Sequence, residues 1–306
     1  MAGRTRGTVG IIGLGTMGGA FARHLAAAGW RVVGFDIAPG RRRAAARAGV
    51  DLARDAKALA AAAPVLILSL PSAQALDATV AAITAHELPE RIVVETSTFR
   101  LEDKRRAERA LRKAGHVMLD CPVSGTGAQA AVKDIVIYAS GDPQAIARMR
   151  RMFSNFSRAA YDVGTFGNGS RMKYVANHLI TIHNVASAEA LVLGIKSGLD
   201  PQMVYELIAA GAGTSRVFEL RGPMMVKNEY ENPGMSVELY HKDIAAIEDH
   251  AFSLCVPTPL FSASIPVYAA AQSMGYGRQD TASVCAVLRA MAGLRNSRRH
   301  KRSARR

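Results

Sequence analysis

TVGIIGLGTMG, residues 8–18, is the stretch that decides the fold of this chain. Its first part, Thr8–Ile12, is a short β-branched run that predicts a buried strand, and a helical pattern over Gly19–Ala28 follows the glycines. A strand, then G-x-G-x-x-G, then a helix is the fingerprint of a dinucleotide-binding turn, in which phosphates bind at the positive end of the helix. The first glycine permits the turn, the second lets a pyrophosphate approach the backbone, and the third lets the helix pack on the strand. The residues predicted to contact the cofactor are Gly13, Leu14, Gly15, Thr16, Met17 and Gly18.

The next predicted strand, Arg31–Phe35, bears on which nucleotide is bound. It ends at Asp36, about 20 residues beyond the glycines, where a carboxylate hydrogen-bonds the adenine ribose. That carboxylate would repel a 2′-phosphate, which favours NAD over NADP. The nearby run 41–43 is three arginines that could receive a phosphate, but residue 37, beside the acid, is isoleucine. We interpret the arginines as the solvated start of a helix and predict NAD, with NADP as the alternative.

Strand and helix patterns keep alternating along the first half of the chain. Further strands are predicted at Val65–Ser69, Ile92–Glu95, His116–Asp120, Ile135–Ala139 and Tyr161–Val163. This alternation predicts a parallel sheet with helices on both faces, and ligands bind beyond the carboxyl ends of such strands. Leu70, Pro71 and Thr98 occupy those ends. The small-residue stretch Pro122–Ala128 follows another strand; it is suited to binding a carboxylate, or else is an ordinary connecting turn.

The pattern changes after Gly169, where strand runs give way to helical periods. The fold class predicted is therefore an α/β N-terminal Rossmann domain plus an all-α C-terminal domain. The predicted boundaries are 1–165 for the dinucleotide-binding domain, 166–294 for the helical domain and 295–306 for a basic tail. Lys173 and Asn177 lie one turn apart at the start of the first helix beyond the boundary, so we expect them to face the same cleft between the domains. A lysine that can lose its proton is a general acid/base, and an amide can hold a substrate oxygen. This pair also occurs on ordinary solvated helix faces.

The bulk composition is that of a soluble globular protein, with 49% hydrophobic and 21% charged residues among 306. Apolar runs such as 64–70 are too short to cross a bilayer, and the N-terminus carries no secretory pattern. The three scattered cysteines indicate reduced thiols in the cytoplasm rather than a disulfide framework or a zinc site. We predict no metal and no membrane association.

The net charge of +14 raises the possibility of nucleic-acid binding. However, residues 295–306 alone carry seven Lys and Arg and no acid, which leaves +7 for the rest of the chain. We interpret this end as a disordered, solubilising tail and consider nucleic acid an improbable partner, with polyanion contact as the alternative.

Several ordered motifs together give the chain a resemblance to the β-hydroxyacid dehydrogenase family, whose members include 3-hydroxyisobutyrate dehydrogenase. They are GLGTMG at 13–18, LPS at 70–72, DCPVSG at 120–125, G-x-x-G-x-G-x-x-x-K-x-x-x-N at 164–177, EALVLGIKSGLDP at 189–201 and KD at 242–243. The similarity extends from about Thr8 to Ala292. It implies hydride transfer between a nicotinamide and a small β-hydroxy acid or its semialdehyde, in a homodimer or homotetramer.

The resemblance also implies roles by position. Lys173 matches the catalytic lysine and is expected to have its pKa lowered by burial. The residues that match substrate contacts are Ser124, Gly125, Thr126, Asn177 and Lys242. Those that match cofactor contacts beyond the glycine turn are Asp36, Leu70, Pro71, Thr98 and, again, Lys242.

The chain departs from the family pattern within the substrate loop. Thr126 stands where a second glycine is usual, and Gln129, Lys133 and Asp134 replace smaller residues. These side chains are suited to a larger or more polar acid, or else are surface replacements. Two alternative functions remain at this point: an imine reductase of the same fold, which Lys173 disfavours, and a catalytically silent nucleotide- or polyanion-binding module that uses the basic tail.

Overall fold

A computed structural model describes residues 6–294. The chain divides into two compact units between Val175 and Ala176, and each unit is described by itself. The predicted basic tail, residues 295–306, lies outside the described residues.

The first unit is built on a six-stranded parallel sheet with the strand order β3-β2-β1-β4-β5-β6. The strands are β1 Thr8–Ile12, β2 Arg31–Phe35, β3 Asp51–Leu52, β4 Val65–Leu68, β5 Ile92–Glu95 and β6 Val117–Asp120. Strands β4 and β5 are buried throughout, which explains their unbroken apolar sequences. The order reverses beside β1, so the glycine turn that follows β1 lies at the switch point where such sheets bind ligands.

Seven helices accompany the strands of the first unit. They are α1 Thr16–Ala27, α2 Pro39–Arg47, α3 Ala56–Ala62, α4 Ala73–Thr84, α5 Leu101–Lys113, α6 Gly127–Ala131 and α7 Pro143–Phe153. Two separate clusters of buried apolar side chains form the core. One contains Phe21 and Phe156, and the other contains Leu59 and Leu76.

A second, three-stranded sheet in this unit was only partly expected. It consists of β7 Val123–Ser124, β8 Val136–Ala139 and β9 Ala159–Asp162 in that order. The sequence pattern predicts β8 and β9 but not β7, because two residues are too few to show an alternation. Strand β7 is antiparallel to β8, and residues 123–124 pair with 136–137. Part of the predicted 122–128 loop is therefore an ordered strand.

The second unit is helical throughout its described part. Its helices are the larger part of α8 Asn168–Lys196, then α9 Pro201–Ala210, α10 Arg216–Lys227, α11 Val237–Ser253, α12 Pro259–Ala271 and α13 Val284–Met291. The predicted fold class, a Rossmann domain followed by an all-α domain, is confirmed. The predicted boundary between residues 165 and 166 stays a prediction; α8 begins at Asn168, and its first two turns belong to the first compact unit.

Helix α8 is also long and apolar enough, by length and composition, to cross a membrane. The short apolar runs considered in the sequence did not reveal this. A single helix of this kind is weak evidence, because the core helix of a soluble protein meets the same criteria. Its buried polar side chains include Ser170, Thr181 and Asn184.

Candidate active site

The glycine turn after β1 leaves space for a ligand close to its backbone. A Cβ on Gly13 would lie 2.0 Å from the Ser69 carbonyl oxygen, and one on Gly18 would lie 1.9 Å from the Gly13 carbonyl oxygen. The chain itself therefore requires glycine at both positions. At Gly15, by contrast, a Cβ would make only ordinary contacts, the nearest at 3.6 Å to Arg41. Glycine at position 15 thus leaves room for something outside the chain, as a pyrophosphate would need, and the turn fits a dinucleotide.

Asp36 at the end of β2 is buried and ties the turn in place. Its Oδ2 accepts a hydrogen bond from the backbone N–H of Leu14 at 2.8 Å, and its Oδ1 accepts one from Ala38 at 2.8 Å. A guanidinium nitrogen of Arg41 lies 3.6 Å from the same carboxylate. The interpretation of the arginine run as merely solvated was therefore incomplete, since Arg41 is paired with Asp36 and Arg42 stacks over the ring of Phe35 at 5.9 Å.

The neighbouring strand ends carry the other predicted cofactor contacts. Leu70 and Pro71 follow β4, and Thr98 follows β5. The backbone N–H of Leu70 donates to Oγ of Ser97 at 2.8 Å, which joins the two strand ends. Because β4 and β5 are adjacent parallel strands, these residues share the edge of the sheet at which the glycine turn lies.

The predicted carboxylate loop is packed against that turn. Ser124 ends β7, and Gly125 has a φ of +141° with Ile135 so close that a Cβ would lie 2.6 Å from it. Gly127 approaches Thr16 in the glycine turn; a Cβ there would lie 2.3 Å from the threonine methyl. The first unit therefore brings the loop at 124–127 and the dinucleotide turn together.

The departures from the family pattern in this loop have a structural account. Thr126 caps helix α6, and Gln129 completes a capping box by accepting a hydrogen bond from the Thr126 backbone N–H at 2.9 Å. The Gln129 amide also donates to Asp134 at 3.2 Å. Lys133 is exposed, with a φ of +63°. Gln129 and Asp134 thus fix the local backbone, a role that the sequence analysis did not predict.

Helix α8 is anchored to the strand ends on both sides of Lys173. Three residues before it, the Ser170 backbone N–H and hydroxyl donate to the Asp120 carboxylate at 2.8 and 2.9 Å. One residue after it, the Tyr174 hydroxyl donates to the backbone carbonyl of Phe99. Lys173 itself is buried, with 8% of its surface exposed. Its backbone is therefore held rigidly beside the ends of β5 and β6.

Asn177 and Lys242 belong to the second unit, where Asp243 joins them. The Asn177 amide donates to one oxygen of the buried Asp243 carboxylate at 2.8 Å, and the Lys242 ammonium contacts the other at 2.7 Å. Tyr240 donates to the Asn177 backbone carbonyl at 3.1 Å. The sequence motif included Asp243, but its role as the residue that orients the other two was not predicted.

Sequence reasoning also missed a buried ionic cluster that includes Asp120, the partner of Ser170. Lys104, on α5, is fully buried and contacts the carboxylates of Glu95 and Asp120 at 2.7 Å each. Burial alone would lower the pKa of Lys104, but the two carboxylates outweigh this and raise the pKa above its ordinary value. The signal that could have revealed it is helical spacing, since Lys104 extends the buried stripe of Ala107 and Leu111 by one turn.

Neither a metal nor a reactive thiol is indicated at the site. Among residues 6–294, no group of three or more His, Cys, Asp or Glu side chains is placed to hold a metal ion. Cys121 precedes the predicted carboxylate loop, but burial raises the pKa of its thiol, which therefore stays protonated and unreactive.

Both halves of the chain match models of known protein families. Residues 8–165 match the family model of the NAD-binding domain of 6-phosphogluconate dehydrogenase. Residues 167–288 match that of the NAD-binding region of NADP-dependent 3-hydroxyisobutyrate dehydrogenase. The L-threonate dehydrogenase of Cupriavidus necator is 31% identical over 281 residues, covering 90% of this chain and 94% of the relative. The chain belongs to the β-hydroxyacid dehydrogenase family.

Two further dehydrogenases are similar over nearly the whole chain. The NAD-dependent L-serine dehydrogenase of Pseudomonas aeruginosa is 29% identical, covering 89% of this chain and 94% of the relative. The crystal structure of 3-hydroxyisobutyrate dehydrogenase from Salmonella typhimurium has a TM-score of 0.84 and 29% identity, and it covers 92% of this chain and 99% of the other. The chain is therefore a nicotinamide-dependent dehydrogenase that acts on a hydroxyl group.

Proposed function

We propose that this dehydrogenase interconverts a small β-hydroxy acid and its carbonyl form, with Lys173 as general acid/base. The observation that carries the proposal is the anchoring of helix α8, because Ser170 and Tyr174 fix the backbone on both sides of a buried lysine. A proton-transfer group must be held within hydrogen-bond reach of the reacting oxygen, and a doubly anchored helix supplies such rigidity.

Cofactor binding and proton transfer are proposed for different residues. Gly13 and Gly18 allow the tight turn, Gly15 leaves the room that a pyrophosphate needs, and Leu70 and Thr98 lie at the adjacent strand ends. When bound, the nicotinamide exchanges a hydride with the substrate carbon. In oxidation Lys173 removes the hydroxyl proton, and in reduction it returns a proton to the developing alkoxide.

Substrate orientation is assigned to the loop at 124–126, with Ser124, Gly125 and Thr126 proposed as carboxylate contacts. A hydroxyl and backbone N–H groups in a loop are suitable donors to a carboxylate. Asn177 and Lys242 are proposed as further substrate contacts, and Lys242 also as a cofactor contact. Support for these two comes from the family motifs and from Asp243, which holds both side chains in fixed positions. Fixed donors favour one orientation of the substrate, and such positioning accelerates the reaction.

A substrate panel tests the role of the carboxylate. The named relatives act on L-threonate, L-serine and 3-hydroxyisobutyrate, so these three acids are offered with NAD, and 3-hydroxyisobutyrate methyl ester serves as the matched compound without a charge. We expect NADH formation with at least one acid, and a kcat/KM lower by about a hundredfold for the ester, because an ionic contact that positions the substrate is lost. Equal turnover of acid and ester would contradict the proposed carboxylate loop.

For the cofactor we propose NAD rather than NADP, on the strength of Asp36. Asp36→Ala is expected to raise the KM for NAD by about tenfold, because a charge-assisted hydrogen bond to the ribose is lost. The KM for NADP should rise less. Asp36→Asn, which keeps one acceptor for the Leu14 N–H, separates the charge from the local backbone contact. As control, Arg43→Ala, an exposed residue of the same arginine run, should leave the KM for NAD within about twofold. An unchanged NAD/NADP ratio in Asp36→Ala would show that Asp36 does not select the cofactor.

We further propose a cytoplasmic homo-oligomer formed through the helical unit. Exposed large apolar side chains are concentrated there, among them Phe252 at 88%, Leu193 at 70% and Leu260 at 66%. Exposed apolar surface of this kind marks association sites. A monomeric mass in light scattering would contradict the proposal.

A further inference from the structure

The buried cluster around Lys104 connects two parts of the site that are far apart in the sequence. Lys104, Glu95 and Asp120 are each 0% exposed, and the ammonium lies 2.7 Å from both carboxylates. Two buried negative charges face one positive charge, so the remaining charge needs hydrogen-bond donors. Those donors come from the two segments that flank the cluster.

The first set of contacts, called the Glu95 arm, connects Glu95 through Ser97 to Leu70. Oε1 of Glu95 accepts a hydrogen bond from the Ser97 backbone N–H at 2.8 Å. The Ser97 hydroxyl in turn accepts one from the Leu70 backbone N–H at 2.8 Å. Position 70 opens the dipeptide proposed to contact the cofactor, so this arm fixes its backbone.

The second set of contacts, called the Asp120 arm, connects Asp120 to Ser170 in helix α8. Both Asp120 oxygens accept hydrogen bonds from Ser170, one from its hydroxyl at 2.9 Å and one from its backbone N–H at 2.8 Å. Ser140 reinforces this contact, because its hydroxyl donates to the Asp120 backbone carbonyl at 3.0 Å and accepts from the Gly169 N–H at 3.0 Å. Ser170 lies three residues before Lys173, on the adjacent helical turn.

We propose that Lys104 is a positioning residue that holds the cofactor-side backbone through Glu95 and Ser97, and the Lys173 helix through Asp120 and Ser170. The inference rests on the proposed role of Lys173. Well-packed apolar residues can replace a buried ion pair without loss of stability. An apolar side chain in place of Lys104 cannot form directional bonds to both Glu95 and Asp120. Lys104 therefore sets the relative position of the two segments that bear the cofactor contact and the proton-transfer group.

Two conservative variants test one arm each. Ser97→Ala removes the acceptor of the Leu70 N–H and is expected to raise the Kd for NADH by about fivefold, the effect of one hydrogen bond, with kcat nearly unchanged. Ser170→Ala removes one donor to Asp120 and is expected to lower kcat by about tenfold, since small misplacements of a catalytic group cost large factors in rate. Ser170→Thr, which keeps the hydroxyl, should restore kcat.

A matched control and a variant of the central residue complete the design. Ser157→Ala removes another buried hydroxyl of the same unit, one that donates to the Phe153 carbonyl, and should change neither quantity. Lys104→Met, tested as folded protein judged by native Trp30 fluorescence, should change both NADH Kd and kcat. If Ser97→Ala and Ser170→Ala alter these quantities no more than Ser157→Ala does, the inference is overturned.

Failure of the Lys173 assignment is distinguishable from failure of this inference. In a Lys173→Ala background, Ser170→Ala should lower residual turnover no further, because its effect passes through Lys173. A further tenfold loss in that background would overturn the Asp120 arm. Full activity of Lys173→Ala itself would overturn the proposed function instead, whereas the NADH Kd of Ser97→Ala would still decide the Glu95 arm.

Discussion

Lys104→Met should lower the free energy of unfolding of the first unit by about 3–5 kcal/mol, the usual cost of removing one partner from a buried ion pair. Methionine fills most of the space of the lysine stem, so the loss arises from charge rather than from a cavity. Glu95 and Asp120, both fully buried, would then face each other with no cation between them.

The chain allows a clean measurement of this loss. Its single tryptophan, Trp30, packs against the core of the first unit, so its fluorescence during urea unfolding reports on that unit. Lys113→Met, at the exposed end of the same helix, is the matched control and should change stability by less than about 0.5 kcal/mol. A Lys104→Met midpoint equal to that of Lys113→Met would show that the cluster contributes nothing.

The contribution of Lys104 to stability depends on pH in a defined direction. The pKa of Lys104 is raised in the folded protein, so its stabilising contribution is fully present at neutral pH and is lost progressively as the pH rises from the ordinary lysine pKa toward that raised value. Lys104→Met lacks this contribution at every pH. The stability deficit of the variant relative to the wild type, measured by urea unfolding, should therefore stay constant around neutral pH and shrink as the pH is raised above the ordinary lysine pKa.

The parts of the fold that the sequence predicted are those with strong local signals. Strands β1, β2 and β5 have the predicted bounds, because each contains a buried apolar run that gives a strong local signal. The glycine turn was predictable because Gly13 and Gly18 meet backbone atoms at distances that no Cβ allows. Strand β7 was missed because two residues carry no periodicity.

The parts of the site that the sequence did not reveal depend on contacts between distant segments. Lys104 stands among exposed charges in LEDKRRAERALRK, and only the positions of Glu95 and Asp120 distinguish it from them. Gln129 is a different case, because its partner Thr126 is only three residues away and the T-x-x-Q pattern of a capping box was present in the sequence without being used. For Lys104 the local composition was uninformative, and its tertiary partners determined its role.

Lys173→Ala should lower kcat by about 10²–10⁴-fold, the range that a positioned general acid/base contributes. NADH binding should stay within about twofold of the wild type, because Lys173 is not among the residues proposed to hold the cofactor. Alanine is a good helix former, so the anchors at Ser170 and Tyr174 should persist. The matched control is Lys196→Ala, an exposed lysine at the other end of the same helix, which should retain full turnover.

The decisive measurement for Lys173 is the kcat of Lys173→Arg for oxidation of the best hydroxy acid, with the NADH Kd measured on the same preparation. Arginine keeps the positive charge but does not lose its proton at the pH of the assay, so it separates proton transfer from electrostatic stabilisation. We predict a kcat lower by at least about a hundredfold with an unchanged NADH Kd. A kcat within a few-fold of the wild type would contradict the assignment of Lys173 as the residue that moves the proton.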